Sequence, residues 1–101
     1  IEGSRYMANR TVLVTGAAGG LGASTSRYLA ERGWRVFAAD VDESALQEIG
    51  KDPGITPVPL DVTDPQAVQA AADRIEREWG GIDLVVWLAG TYSPMRAQQF
   101  V

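Results

Sequence analysis

Apolar residues in this chain come in short bursts set between glycine, proline and aspartate, and the bursts alternate between two periods. Residues 11–15, Thr-Val-Leu-Val-Thr, are β-branched or apolar throughout, as suits a strand buried on both faces. The run stops at Gly16, and a loop of mostly glycine and alanine carries on to Gly22. Residues 23–32 read as a helix, with Leu29 and Ala30 on its inner side and Gly33 ending it. Residues 34–39 make a second strand that ends at Asp40. Residues 42–50 make a short helix in which Asp42 caps the start and Ala45, Leu46 and Ile49 repeat at helical spacing. After a Lys51-Asp52-Pro53-Gly54 turn, residues 55–60 form a third strand, although Pro57 and Pro59 fit a strand poorly.

Asp64 caps a further helix with Pro65 in its first position. That helix runs to Trp79, and Val68, Ala71, Ala72, Ile75 and Trp79 lie on one stripe of it. Gly80-Gly81 ends it. Seven of the eight residues 82–89 are apolar, a fourth strand broken by Gly90. Residues 91–101 read as a loop, with a helical start after Pro94. The order β-α-β-α-β-α-β predicts the α/β class: a three-layer parallel sheet with helices on its faces.

Composition narrows the chemistry. The chain has 101 residues, room for one domain, with 46 % hydrophobic and 22 % charged residues, an ordinary globular mixture. It has no Cys, so neither a disulfide framework nor a thiol nucleophile, and no His, which removes the commonest metal ligand and general base. No metal site is expected. The net charge of −4 argues against a nucleic-acid surface. The longest apolar run falls far short of the ~20 residues that span a bilayer. These features predict a soluble, cytoplasmic protein without nucleic-acid or membrane partners. Residues 1–6, Ile-Glu-Gly-Ser-Arg-Tyr, look like an added protease-site linker, which makes Met7 the natural start and residues 7–101 the domain.

The candidate chemistry lies in the loop Thr15-Gly16-Ala17-Ala18-Gly19-Gly20-Leu21-Gly22. It follows a strand and precedes a helix, where free N–H groups and the helix dipole favour an anion. Gly16 lets the chain turn sharply, and Gly20 and Gly22 allow close approach to a phosphate and close packing of helix on sheet. No Lys follows the last glycine, so this is not the phosphate loop of a nucleoside triphosphatase. Asp40 ends the second strand 20 positions after Gly20 and is placed to accept hydrogen bonds from ribose hydroxyls. It would repel a 2′-phosphate, no Arg or Lys lies in the loop, and Val41 follows Asp40, so NAD is favoured over NADP. Asp40 also suits the simple start of a turn into the next helix.

With the loop, Asp40, Asp61-Val62-Thr63-Asp64 and Ala89-Gly90 in view, the sequence resembles the short-chain dehydrogenase/reductase family over residues 10–93. The resemblance implies a Rossmann-type nucleotide-binding fold, its parallel sheet truncated here after the fourth strand, which in the family pairs with a fifth. It implies that Gly16, Ala18, Gly19, Gly20, Leu21 and Gly22 bind the cofactor on its pyrophosphate side and that Asp40 holds the ribose. By the same likeness Asp61 and Val62 flank the adenine, and Ala89 and Gly90 lie near the adenosine ribose and the path to the nicotinamide. Two departures stand out. The family usually carries Asn-Asn-Ala-Gly after the fourth strand, whereas this chain has Trp87-Leu88-Ala89-Gly90, with Trp87 expected as a large core residue. The family's catalytic Tyr-x-x-x-Lys is absent: the only lysine is Lys51, with Gln47 four positions before it. No catalytic residue is therefore assigned, and Tyr92 and Ser93 read as loop residues.

The leading expectation is the N-terminal NAD-binding portion of an enzyme that moves a hydride between NAD(H) and an alcohol or carbonyl substrate. The alternatives are a non-catalytic nucleotide-binding module and a structural fragment. An uncovered fourth strand would recruit a second copy of the chain, so a homo-oligomer is expected.

Overall fold

The computed structural model describes residues 10–88. Its elements are β1 (Thr11–Thr15), α1 (Gly20–Glu31), β2 (Arg35–Asp40), α2 (Glu43–Ile49), β3 (Ile55–Pro59), α3 (Pro65–Trp79) and β4 (Leu84–Trp87). The four strands form one sheet in the order β3-β2-β1-β4. Every pair is parallel: Val12 lies opposite Val36 and Leu84, and Thr15 opposite Ala39 and Trp87. The α/β class and the alternation read from the sequence are those observed.

Strand alternation divides the core in two. Val12 and Val14 of β1 and Val36 and Ala38 of β2 face α1 and α2, packing with Leu46, Ile49, Leu29 and Ala30. Leu13, Phe37 and Ala39 face the opposite way and pack with Ile75, Val68 and Ala71 of α3. Leu46 and Ile75 are almost wholly buried, each worth roughly 1.5–3 kcal/mol of burial. β1 carries both halves: all five of its residues are buried.

Helix ends follow their cap chemistry. The Asp64 carboxylate accepts from the N–H groups of Gln66 and Ala67, Pro65 takes the first turn, and Gly80 ends α3 at φ 86°. Asp42 accepts from the N–H of Ala45 at the start of α2. At the end of α1, Gly33 donates to the Ala30 carbonyl and Trp34 to the Leu29 carbonyl, with Gly33 at φ 92°. Helix α1 starts at Gly20 rather than near Ala23 as the sequence suggests. Glycines are weak helix formers, and here the packing of the first turn onto the preceding loop overrides that weakness.

β3 tolerates its prolines because it is an outer strand of the described sheet. The N–H of Leu60 donates to the Asp40 carbonyl, so the even-numbered residues of this stretch turn their N–H groups to β2. Pro57 and Pro59 thus place their nitrogens on the outer side, where no ladder bond is lost.

β4 is shorter than its apolar run. At its start the Asp83 carboxylate accepts from the Thr11 N–H at 2.8 Å, and the Asp83 N–H donates to the Thr11 carbonyl. At its end the Leu88 N–H donates to Thr15 Oγ1 at 3.0 Å. Side chains therefore bound the ladder at both ends. Trp87 is not the core residue expected from sequence: it is 49 % exposed, and Val85 beside it is 48 % exposed. The packing partners of α3 on that face are Leu13 of β1 and Phe37 and Ala39 of β2, so Val85 and Trp87 lie outside the cluster that α3 covers.

One buried group stands apart. The Ser26 hydroxyl, on the inner side of α1, is fully buried and has no hydrogen-bond partner among the described residues. Ser26→Ala removes an unsatisfied polar group and improves helix propensity, so it should stabilise the fold by about 1 kcal/mol. A urea unfolding curve with unchanged slope and a higher midpoint is the expected result.

Candidate functional site

The strand order reverses beside β1. From β1 the chain moves outward to β2 and β3, then crosses back to place β4 on the other side. In sheets of this kind, ligands sit at that reversal, outside the carboxyl ends of the strands. The loop 16–19 lies there, between β1 and α1.

Three glycines of this loop stand in three different environments. Gly16 turns the chain at φ 72°, a left-handed conformation that side chains resist. Gly22 is a matter of space: a Cβ there would sit 2.0 Å from the Gly16 carbonyl oxygen and 2.7 Å from the Ala17 Cα. Those neighbours are backbone and cannot step aside. A Cβ on Gly20 would meet no protein atom within 4 Å. Packing therefore does not account for Gly20, and the space beside it is free for a ligand.

The amides of the loop divide in the same way. Ala17 donates to the Ala39 carbonyl at 3.0 Å, Ala18 to Asp40 Oδ2 at 3.0 Å, and Gly19 to the Gly16 carbonyl at 3.2 Å. These three hold the loop. The next three amides, of Gly20, Leu21 and Gly22, open α1 and carry no hydrogen bond among the described residues. Helix α1 has no side-chain cap and no acidic residue in its first turn, whereas α2 and α3 each have an Asp cap. An anion suits such a helix start, through unbonded N–H groups and the dipole together.

Asp40 adjoins this loop. Its Oδ2 accepts from Ala18 and its Oδ1 accepts from the Asp42 N–H at 3.1 Å. The turn role is thus real, and it accompanies a second role in tying β2 to the loop. A carboxylate has about four acceptor positions, so about two remain open. The bond to Ala18 was not legible in the sequence, because it joins residues 22 apart and depends on the β1–β2 register.

Asp61 and Val62 fall at the same end of the sheet. The Leu60–Asp40 bond brings the exit of β3 beside that of β2, so Asp61 and Val62 follow directly. Asp61 is exposed, and its Oδ1 accepts from both the hydroxyl and the N–H of Thr63. Those two donors hold its carboxyl below the usual carboxylate range, the hydroxyl more than the amide. Val62 is partly buried against the α3-side core, so part of its role is packing. Ala89, Gly90, Tyr92 and Ser93 lie outside the described residues. Leu21 and Val41 are 69 % and 66 % exposed beside Gly20 and Asp40. Val41 is the apolar residue that follows the acidic strand end where a cation could otherwise meet a 2′-phosphate.

Thr15 joins the site to β4. Its hydroxyl lies 3.4 Å from the Val86 carbonyl and accepts from the Leu88 N–H. Among the described residues no group of three or more His, Cys, Asp or Glu could hold a metal ion, and no helix is long and apolar enough to cross a membrane.

Comparison with known proteins gives this geometry a context. A family model described as short chain dehydrogenase matches residues 10–100. The chain is 44 % identical over 91 residues to cis-4-hydroxycyclohexanecarboxylate dehydrogenase of Sinomonas cyclohexanicum, an alignment that covers 86 % of this chain and 36 % of that protein. It is 38 % identical to 3-hydroxyacyl-CoA dehydrogenase type-2 of Drosophila melanogaster, covering 91 % of this chain and 37 % of that one. The crystal structure of a short chain dehydrogenase from Bacillus anthracis superposes with a TM-score of 0.76 at 27 % identity, over 82 % of this chain and 36 % of that one. The chain thus spans little more than a third of the length of these relatives.

The glycines predict opposite outcomes. Gly22→Ala forces backbone apart and should destabilise the fold by on the order of 1–3 kcal/mol. Gly20→Ala should leave stability unchanged or raise it by up to about 1 kcal/mol. Thermal unfolding of the two variants side by side separates them.

Proposed function

The chain belongs to the short-chain dehydrogenase family, and from that premise we propose that it supplies the NAD-binding half of an oxidoreductase. In the whole protein the reaction would be hydride transfer between NAD(H) and an alcohol or carbonyl carbon. The bound cofactor supplies the hydride chemistry. What this chain's residues supply is binding and orientation. The family implies a nicotinamide dinucleotide, and the free amides of Gly20, Leu21 and Gly22 with the open space beside Gly20 suit its pyrophosphate. The single observation that carries the reading is this split loop, three amides holding it and three left for an anion.

Asp40 supports NAD over NADP. Its open acceptor positions suit two ribose hydroxyls, and its charge opposes a 2′-phosphate. Gly16, Ala18 and Gly19 would shape the loop; by likeness to the family Asp61 and Val62 would flank the adenine, and Ala89 and Gly90 would serve the adenosine ribose and the nicotinamide side. No proton-transfer group is assigned within the chain, because its only lysine, Lys51, is not preceded by a tyrosine at the family's spacing.

We further read the chain as self-associating. Leu84, Val85 and Trp87 are exposed along β4, and an apolar groove lined by Tyr28, Leu29, Leu84 and Val86 runs between α1 and β4. A strand exposed on one side with apolar faces recruits another strand, and two-fold symmetry would set the two copies of β4 antiparallel.

Two measurements test these readings. Calorimetric titration should show saturable NAD binding, with NADP weaker and Asp40→Ala losing roughly 10- to 100-fold, the worth of hydrogen bonds to a charged group. Equal binding of NAD and NADP would count against the assignment. Light scattering should show a dimer at micromolar concentration; a monomer throughout would remove the association through β4.

A further inference from the structure

We propose that Asp40 is a positioning residue for the glycine loop as well as a ribose acceptor, so that cofactor preference and loop order depend on one carboxylate. The ribose half of this statement rests on the dinucleotide reading above; the loop half does not.

The argument starts from which bonds could set the loop. Gly16 makes the turn, and Ala17 is tied to the backbone of β2 through the Ala39 carbonyl. The amide of Ala18 is the next in line, and the acceptor it finds is a side chain, Asp40 Oδ2 at 3.0 Å. Asp40 is itself fixed, because Oδ1 accepts from Asp42 and the Asp40 carbonyl accepts from Leu60. A charged acceptor held at both ends makes a strong, directed bond. The loop amides beyond Ala18 lead into the start of α1, where the three unbonded donors lie. Freeing Ala18 would let the segment before those donors move, and the donors with it.

Charge alone argues the other way. A carboxylate beside a site for a pyrophosphate should weaken anion binding, and its removal should help. Asp40 can serve both ends because its acceptor positions are divided. About two are spent on Ala18 and Asp42, and about two stay open. A substitution that exchanges the charge to admit a 2′-phosphate would also release the loop. Changing this residue alone therefore lowers affinity for both cofactors instead of switching between them.

The experiment pairs a ligand-free measurement with a ligand that Asp40 cannot read. Amide hydrogen exchange followed by NMR on the ligand-free chain should show Ala18 exchanging about tenfold faster or more in Asp40→Ala, with Val36 and Ile75 unchanged. Asp40→Asn keeps one acceptor oxygen and should exchange Ala18 more slowly than Asp40→Ala, which guards against an alanine variant that folds poorly. Titration with NAD and with its analogue lacking both adenosine ribose hydroxyls then separates the roles. If Asp40 positions the loop, Asp40→Ala loses affinity for the analogue too. An unchanged Ala18 rate, or a loss confined to NAD itself, overturns the proposal. If the unmodified chain binds neither ligand, the dinucleotide reading fails, and the Ala18 exchange alone decides the positioning role.

Discussion

The structure depends on how closely α1 approaches the turn that precedes it. At Gly22 the helix backbone comes so near the Gly16 carbonyl that a single added carbon would lie 2.0 Å from it. That approach fixes the helix over the sheet and brings Ala23, Leu29 and Ala30 onto the core that Val12, Val14 and Leu46 form. It also fixes where the first free amides of α1 stand. Packing and candidate chemistry thus share one cause. The helix begins inside the glycine motif because the sheet requires it there, and the unbonded N–H groups are a consequence of where it begins.

Asp40 plays the matching part from the neighbouring strand. It lies at the end of β2, bonds back to its own turn, and reaches across to the loop after β1. Together with the Leu60–Asp40 and Ala17–Ala39 bonds, this ties the exits of three strands into one rim. The rim is built mostly from backbone groups. Side chains contribute at Asp40, at Thr15 where β4 joins, and at Asp61 where a turn leads into α3.

Much of this was legible in the sequence, and the reasons are local. The β-branched run of β1 gave its bounds to the residue. Asp64 and Pro65 announced the start of α3 because cap chemistry acts within four residues. The failures came where distant parts decide. Glycine propensity, which is local, favours a start of α1 near Ala23, whereas packing, which is not local, sets it at Gly20. Trp87 read as core because seven apolar residues in a row of eight suggest burial on both faces. Its exposure depends on how far α3 reaches, and no pattern within β4 encodes that. The Asp40–Ala18 bond needed the register of two strands. The likeness to short-chain dehydrogenases singles out Asp40 without revealing that it holds the loop.

The prolines of β3 have a consequence for how this sheet lengthens. On that side the positions that would offer N–H groups to an incoming strand include Pro57 and Pro59, which have none to offer. On the other side β4 presents ordinary residues, Leu84, Val85 and Val86 among them, with apolar side chains above and below. The described sheet is therefore directional: it is capped at one margin and extensible at the other. Any strand that extends it, from this polypeptide or from another molecule, is steered to the β4 margin before any side-chain recognition comes into play.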